Sequence, residues 1–244
     1  MNDERARRDL RFLKVYCAVL TLAFLGLGIY VVRVHHAPRF GEITVERINV
    51  VEHNGDLKLV LSNSSRQHPG VIGGKMLPER ERQAGLIFFN SAGDECGGLI
   101  YDGNDQEAGL VLSVDKYRED QIMQLRYVED NQRKARTYGL QLWDYPKENA
   151  YAERSRAFEA IGAQKNPKER QQAVMNMKKD GLLPEDRLFL GQKMNRDVGL
   201  FINDRQGRPR IRLYVDAENR ARIELLDEEG RVVEQSTGAG PKTP

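Results

Sequence analysis

The chain has 244 residues, 40% of them apolar and 30% charged, a composition that suits a folded domain and is too apolar for a disordered one. Its net charge of +2 is unevenly placed. Residues 1–40 hold seven of the 38 Lys/Arg (Arg5, Arg7, Arg8, Arg11, Lys14, Arg33, Arg39) and three of the 36 acids, which leaves 31 basic and 33 acidic side chains in residues 41–244. The larger part therefore has no net positive field, which excludes nucleic-acid binding by bulk electrostatics. Two cysteines, Cys17 and Cys96, cannot build a disulfide framework, so folding must come from the core alone.

Residues 15–32 read VYCAVLTLAFLGLGIYVV, eighteen positions without a charge. At 1.5 Å rise per residue they span about 27 Å, close to the roughly 30 Å hydrocarbon core of a bilayer. Tyr16 and Tyr30 lie near the two ends, at headgroup level. The competing reading, a cleaved signal peptide, has only Ala37 as a small residue at a cleavage point, flanked by His35 and Pro38, which suit a peptidase poorly. The expectation is an uncleaved transmembrane helix over 15–34. Five Lys/Arg precede it and two follow, which keeps residues 1–14 in the cytoplasm and sends the rest to the periplasm or exterior.

A linker, 35–41, leads into strands over 42–148. In 43–52 the apolar positions change phase between Val45 and Ile48, which predicts a bulge near Glu46–Arg47. Asn54-Gly55, between that run and the alternating Leu57, Leu59 and Leu61, predicts a hairpin. Gly-Leu then opens a short apolar run five times, at Gly85, Gly98, Gly109, Gly139 and Gly199. Asx-x-x-Gly closes runs at Asn90–Gly93, Asp204–Gly207 and Asp227–Gly230, where Asx bonds its own backbone and Gly accepts the left-handed conformation.

The strand pattern is interrupted by a helical insert, 149–195. Tyr151, Ser155, Phe158 and Ile161 share a face of one predicted helix. Asn166-Pro167 starts a second, with Ala173, Val174 and Met177 as its stripe and Gly181 at its end. Hairpins resume over 196–234, and 235–244 is a Gly/Pro/Ser/Thr-rich tail. Ile211, Leu213 and Val215 share one face with Ile223 and Leu225, while Arg210, Arg212, Tyr214, Arg222 and Glu224 share the other, which predicts a sheet with one wet face. The expected fold is mainly β: one N-terminal transmembrane helix followed by an antiparallel β-hairpin-repeat domain with a helical insert.

GLIFFNSAGDECGGLIYDG (85–103) and GLFINDRQGRPRIRLYVD (199–216), behind a basic N-terminus and one apolar helix, resemble bacterial membrane-anchored β-repeat proteins without an assigned activity. The resemblance covers about half of the chain. It implies a bacterial envelope location and supplies no catalytic residue.

Nothing in the sequence marks an enzyme. There is no Gly-x-Ser-x-Gly, His-Glu-x-x-His, phosphate-binding Gly-x-x-x-x-Gly-Lys-Ser/Thr or Cys-x-x-Cys, so no cofactor and no metal are expected. Asp102, Asn104, Asp105 and Glu107 offer oxygen ligands without EF-hand spacing. Cys96 follows two carboxylates, Asp94 and Glu95, which disfavour a thiolate. The loop 63–82 carries His68, Lys75, Arg80 and Arg82. The binding candidates are Arg208, Arg210, Arg212, Tyr214 and Arg222, a row fit for an anionic glycan, lipid headgroups or an acidic protein, unless neighbouring acids pair with it. The function expected is that of a cell-envelope binding or scaffolding protein, held in the bilayer through 15–34, with a protein partner or a second copy of itself and no nucleic acid. The alternative is an envelope hydrolase built around the His68 loop.

Overall fold

A computed structural model describes residues 2–35 and 40–237. Residues 36–39 of the expected linker and 238–244 of the expected tail lie outside the described part. The chain divides into two units, 1–45 and 46–244. The first holds one helix, α1 (Asn2–His35), within which Arg7–Arg33 is long and apolar enough to cross a membrane, a property shared by anchors and signal sequences. From Leu10 to Val32 its leucines, valines and phenylalanines are exposed.

The second unit is one antiparallel sheet of twelve strands in which neighbours in sequence are neighbours in space. Its first half is β1 (Arg47–Val51), β2 (Leu57–Ser62), β5 (Gly85–Phe89), β6 (Glu95–Gly103), β7 (Glu107–Asp115) and β8 (Gln121–Asp130). Its second half is β9 (Ala135–Asp144), β10 (Glu185–Gln192), β11 (Val198–Asn203), β12 (Pro209–Val215), β13 (Ala221–Leu226) and β14 (Val232–Thr237). A two-residue pair, β3 (Val71–Ile72) and β4 (Lys75–Met76), forms a separate small hairpin in the loop after β2.

Seven of the connections, Lys116–Asp120 among them, share one hydrogen-bonded turn. Its first residue donates its N–H to the fifth carbonyl, and the N–H of its fourth residue donates back to the first carbonyl, as at Glu52–Asp56, Asn90–Asp94, Lys193–Asp197, Asp204–Arg208, Asp216–Arg220 and Asp227–Arg231. The fourth residue is left-handed in six of them, Gly55, Gly93, Arg196, Gly207, Asn219 and Gly230, and in the Lys116 turn the third, Arg118, is left-handed instead. Gly or Asn takes that conformation at least cost; Asn54-Gly55 and the Asx-x-x-Gly pattern mark four of these turns and miss those at Lys116, Lys193 and Asp216.

Several boundaries differ from expectation. Residues 43–45 are not a strand, so the phase change marks the start of β1, and the register shift falls at Val50/Val51. β10 lies inside the expected 149–195 insert, whose helical part is α2 (Tyr151–Ala163) and α3 (Pro167–Lys179). Asn166 caps α3 by accepting from the Lys168 N–H at 3.0 Å, and Gly181 ends it with φ +70°. The buried stripe of α2 is shifted from the predicted one: Arg154 and Ile161 are buried while Phe158 is half exposed. Ile161 packs with Ala150, Met177 and Leu182 in a small core of the helical pair. β14 runs three residues into the tail predicted from 235 onward.

Candidate functional site

Pairing register assigns every strand residue to one of two faces, because cross-strand partners point the same way. On the first face the partners run without a break from Ile48 through Leu61, Leu86, Leu99, Leu112, Leu125, Leu140, Leu190, Leu200 and Leu213 to Ile223. Nine consecutive strands thus place a leucine in the same transverse row. A second row, two residues along each strand, includes Val50, Leu59, Phe88, Val114, Met123, Leu142, Leu188, Ile202, Ile211 and Leu225. A third, shorter row holds Tyr101, Leu110, Tyr127, Tyr138, Val198 and Val215. Here the Gly-Leu repeat acquires its meaning. The leucine joins these rows, and the glycine before it faces the other side.

The sequence predicts that such a face is covered, with only the polar side wet. The structure reverses this. Leu125 is 52% exposed, Leu190 50% and Leu213 49%, whereas Glu224 on the polar face is 7% exposed. The covering lies on the polar face: at the β2–β5 end His68 and Val71 of the long loop pack against the buried Val60, Ile87 and Phe89, and toward the other end Phe201 and Leu226 are buried as well.

The predicted arginine row sits on the polar face, and its charges are spent internally. Arg212 pairs with Glu224 at 3.2 Å, and the Tyr214 hydroxyl donates to the same carboxylate at 3.0 Å. Arg222 pairs with Asp216 at 3.1 Å. Arg208 bonds Asp204 at 2.8 Å and lies 3.5 Å from Glu228. The Asp204–Arg208 contact belongs to a turn clamp that recurs as Asp216–Arg220 and Asp227–Arg231, in which the Asp at the first position of the turn holds the Arg at the fifth. In the Asp216 clamp, hydrogen bonds from Arg220 and Arg222 outweigh desolvation and hold the carboxyl at about 2. Of the four predicted binding arginines, Arg210 alone carries no ion pair among the described residues. Beside the row, Phe201 meets Tyr214 in a tilted ring contact at 5.6 Å, and Lys193 lies 3.5 Å over the Phe201 ring.

The other candidates are structural. His68 is buried; its Nδ1 accepts from the Gly70 N–H at 3.0 Å and its ring meets Phe89 edge-on. Burial and the nearby Arg47 hold its imidazole below the ordinary range, so it stays neutral. Its hydrogen bonds among the described residues are with Gln67, Gly70 and Arg82. Glu95, the adjacent carboxylate, is gripped by both terminal nitrogens of Arg82 at 2.8 and 2.9 Å. Asn104 spends its side-chain oxygen on the N–H groups of Gln106 and Glu107, and no group of three metal-ligating side chains occurs among the described residues.

Sequence reading missed one titrating group. Asp115 has a buried Oδ1 without a hydrogen-bond partner. Burial first, then the carboxylates of Glu95 and Asp120, push its carboxyl up from 3.8 to about 7, against the pull of Arg82. The same burial, with Asp115 and Glu95, pushes the Cys96 thiol up and leaves it a weak nucleophile at neutral pH. Between 3.8 and about 7 the folded chain holds a proton that the unfolded chain has released, so stability falls as pH rises through that window. Asp115→Asn is expected to flatten this part of the profile in urea unfolding and to raise the midpoint at pH 8.

No protein-family model matches the chain, and no curated protein is significantly similar to it.

Proposed function

We propose that the chain is a single-pass membrane-anchored scaffolding protein of the cell envelope, with its N-terminus in the cytoplasm and its sheet outside. The observation that carries this reading is a continuous apolar face on a twelve-stranded sheet, in a chain that begins with a bilayer-length apolar helix. Soluble single proteins rarely expose contiguous apolar patches beyond a few hundred Å², and larger ones mark interaction surfaces. The charge asymmetry around 15–32 supports the orientation. The pairing of the arginine row and the buried, non-catalytic setting of His68 favour binding through the apolar side over an anionic ligand or hydrolysis.

Protease applied to the outer face of intact cells tests the topology. Digestion of residues 46–244, leaving a short membrane-protected fragment, is the expected result. A fully protected sheet domain reverses the orientation.

A further inference from the structure

We infer that the apolar face is a self-association surface, on which two copies of this chain pack sheet against sheet as a β-sandwich; the inference rests on the anchored-scaffold reading and names its partner. Three features of the face select this occupant.

The first is area. Twelve strands about 4.8 Å apart span roughly 50 Å, and three rows about 7 Å apart cover roughly 15–20 Å along the strands. The product is on the order of 800–1,000 Å² per copy, where a stable interface needs about 800 Å² from each partner. Face-to-face sheets pack about 10 Å apart, with side chains of the two faces interdigitating.

The second is self-complementarity. A two-fold interface must match itself. A face built from one residue type repeating at the strand spacing presents ridges and grooves of a single period, and a second copy offers the same period. From β2 to β13 the three rows carry no charged side chain, so like charges do not oppose one another there. The charges on this face lie at its margins: Glu129 with Arg136 at 3.8 Å beyond the third row, Asp144 with Arg187 at 3.2 Å beyond Leu142, and Glu234 on the edge strand β14, opposite Leu225.

The third is that the surface is wrong for lipid. A sheet face that seats in a bilayer surface carries Lys/Arg at its rim and aromatic anchors of the Trp type. Cations do gather at one end, where Arg133, Lys134, Arg136 and Arg196 meet at the β8–β9 and β10–β11 turns, but Arg133 and Arg136 are paired with Asp130 and Glu129, and the lone tryptophan, Trp143, is in register with the polar face. The sheet also has two unpaired edges, β1 and β14, and open edges are not tolerated in hydrocarbon. A second sheet covers the leucines and leaves both edges in water.

Gln124 and Leu125 are adjacent in β8 and point to opposite faces, which makes them a matched test. The full chain, with a photoreactive phenylalanine analogue at position 124 or 125, is irradiated in its own membranes. A product of twice the chain mass from position 125 and none from position 124 is expected. Leu213→Glu, at an exposed position that leaves the fold intact by circular dichroism, should lower that product at least tenfold. Equal products from both positions, attachment from position 125 only to lipid or to another protein, or no attachment overturns the proposal. The distribution of chain between membrane and aqueous fractions separates the two claims. A chain that stays in the membrane without the doubled product defeats self-association alone, whereas a chain in the aqueous fraction defeats the anchor while the crosslink remains readable.

Discussion

Glu119→Ala is expected to destabilise the chain by about 3–5 kcal/mol and to release the helical pair from the sheet. Glu119 is 2% exposed and Arg154 3%. One carboxylate oxygen accepts from the Ala150 N–H at 2.6 Å, at the entry to α2, and the other from Arg154 at 2.6 Å. The guanidinium also lies 4.4 Å from the centre of the Tyr145 ring. Removing the carboxylate leaves a buried cation whose remaining partners are aromatic faces, and breaking one side of a buried pair carries a cost of the size given above. Replacing both partners, Glu119→Met with Arg154→Met, should cost less than either single change, because no unpaired charge stays behind. Urea unfolding measures the cost. Limited proteolysis reports release, as new cleavage between Tyr145 and Glu185 with the remaining sheet protected.

The second large effect is expected at Gly191→Ala. Gly191 in β10 lies opposite Gly139 in β9 and Gly199 in β11, three glycines abreast on the polar face. Its φ is +156°, and an added Cβ would meet the Tyr138 carbonyl oxygen and come within 2.6 Å of the Gly139 Cα. Those atoms belong to an interior strand hydrogen-bonded on both sides, so they cannot retreat. Backbone strain and overpacking together imply a loss of about 2–4 kcal/mol. Gly162→Ala is the control: that glycine is helical with nothing within 4 Å of the added carbon, and the change should be neutral or stabilising by up to about 1 kcal/mol. The same substitution is thus expected to have opposite signs at two positions, read as the shift in thermal midpoint.

Much of this sheet was legible as text. Alternation at Ile211, Leu213 and Val215 paired them correctly with Leu225 and Ile223, because a period of two and a turn of fixed length leave one register. The five Gly-Leu pairs marked real strands for the same reason. Alternation says which residues share a face, however, and nothing about what lies on it, so the open leucine rows could not be foreseen. The turn clamps had a signal that went unread: Asp204–Arg208, Asp216–Arg220 and Asp227–Arg231 share one spacing. Taking Arg208 as a member of a binding row overlooked the acid four residues upstream of it. The Glu119–Arg154 contact bridges 35 positions and has no local signature at all. His68 is similar, since its burial depends on a loop folding back over Phe89.

The open leucine rows are the point on which the account turns, and the particle mass of the full chain in detergent tests their role most directly. Sedimentation with the detergent density-matched should give two chains per particle for the native sequence and one for Leu125→Glu combined with Leu213→Glu. A native chain that sediments singly at every concentration, with its leucine face bare, would contradict it.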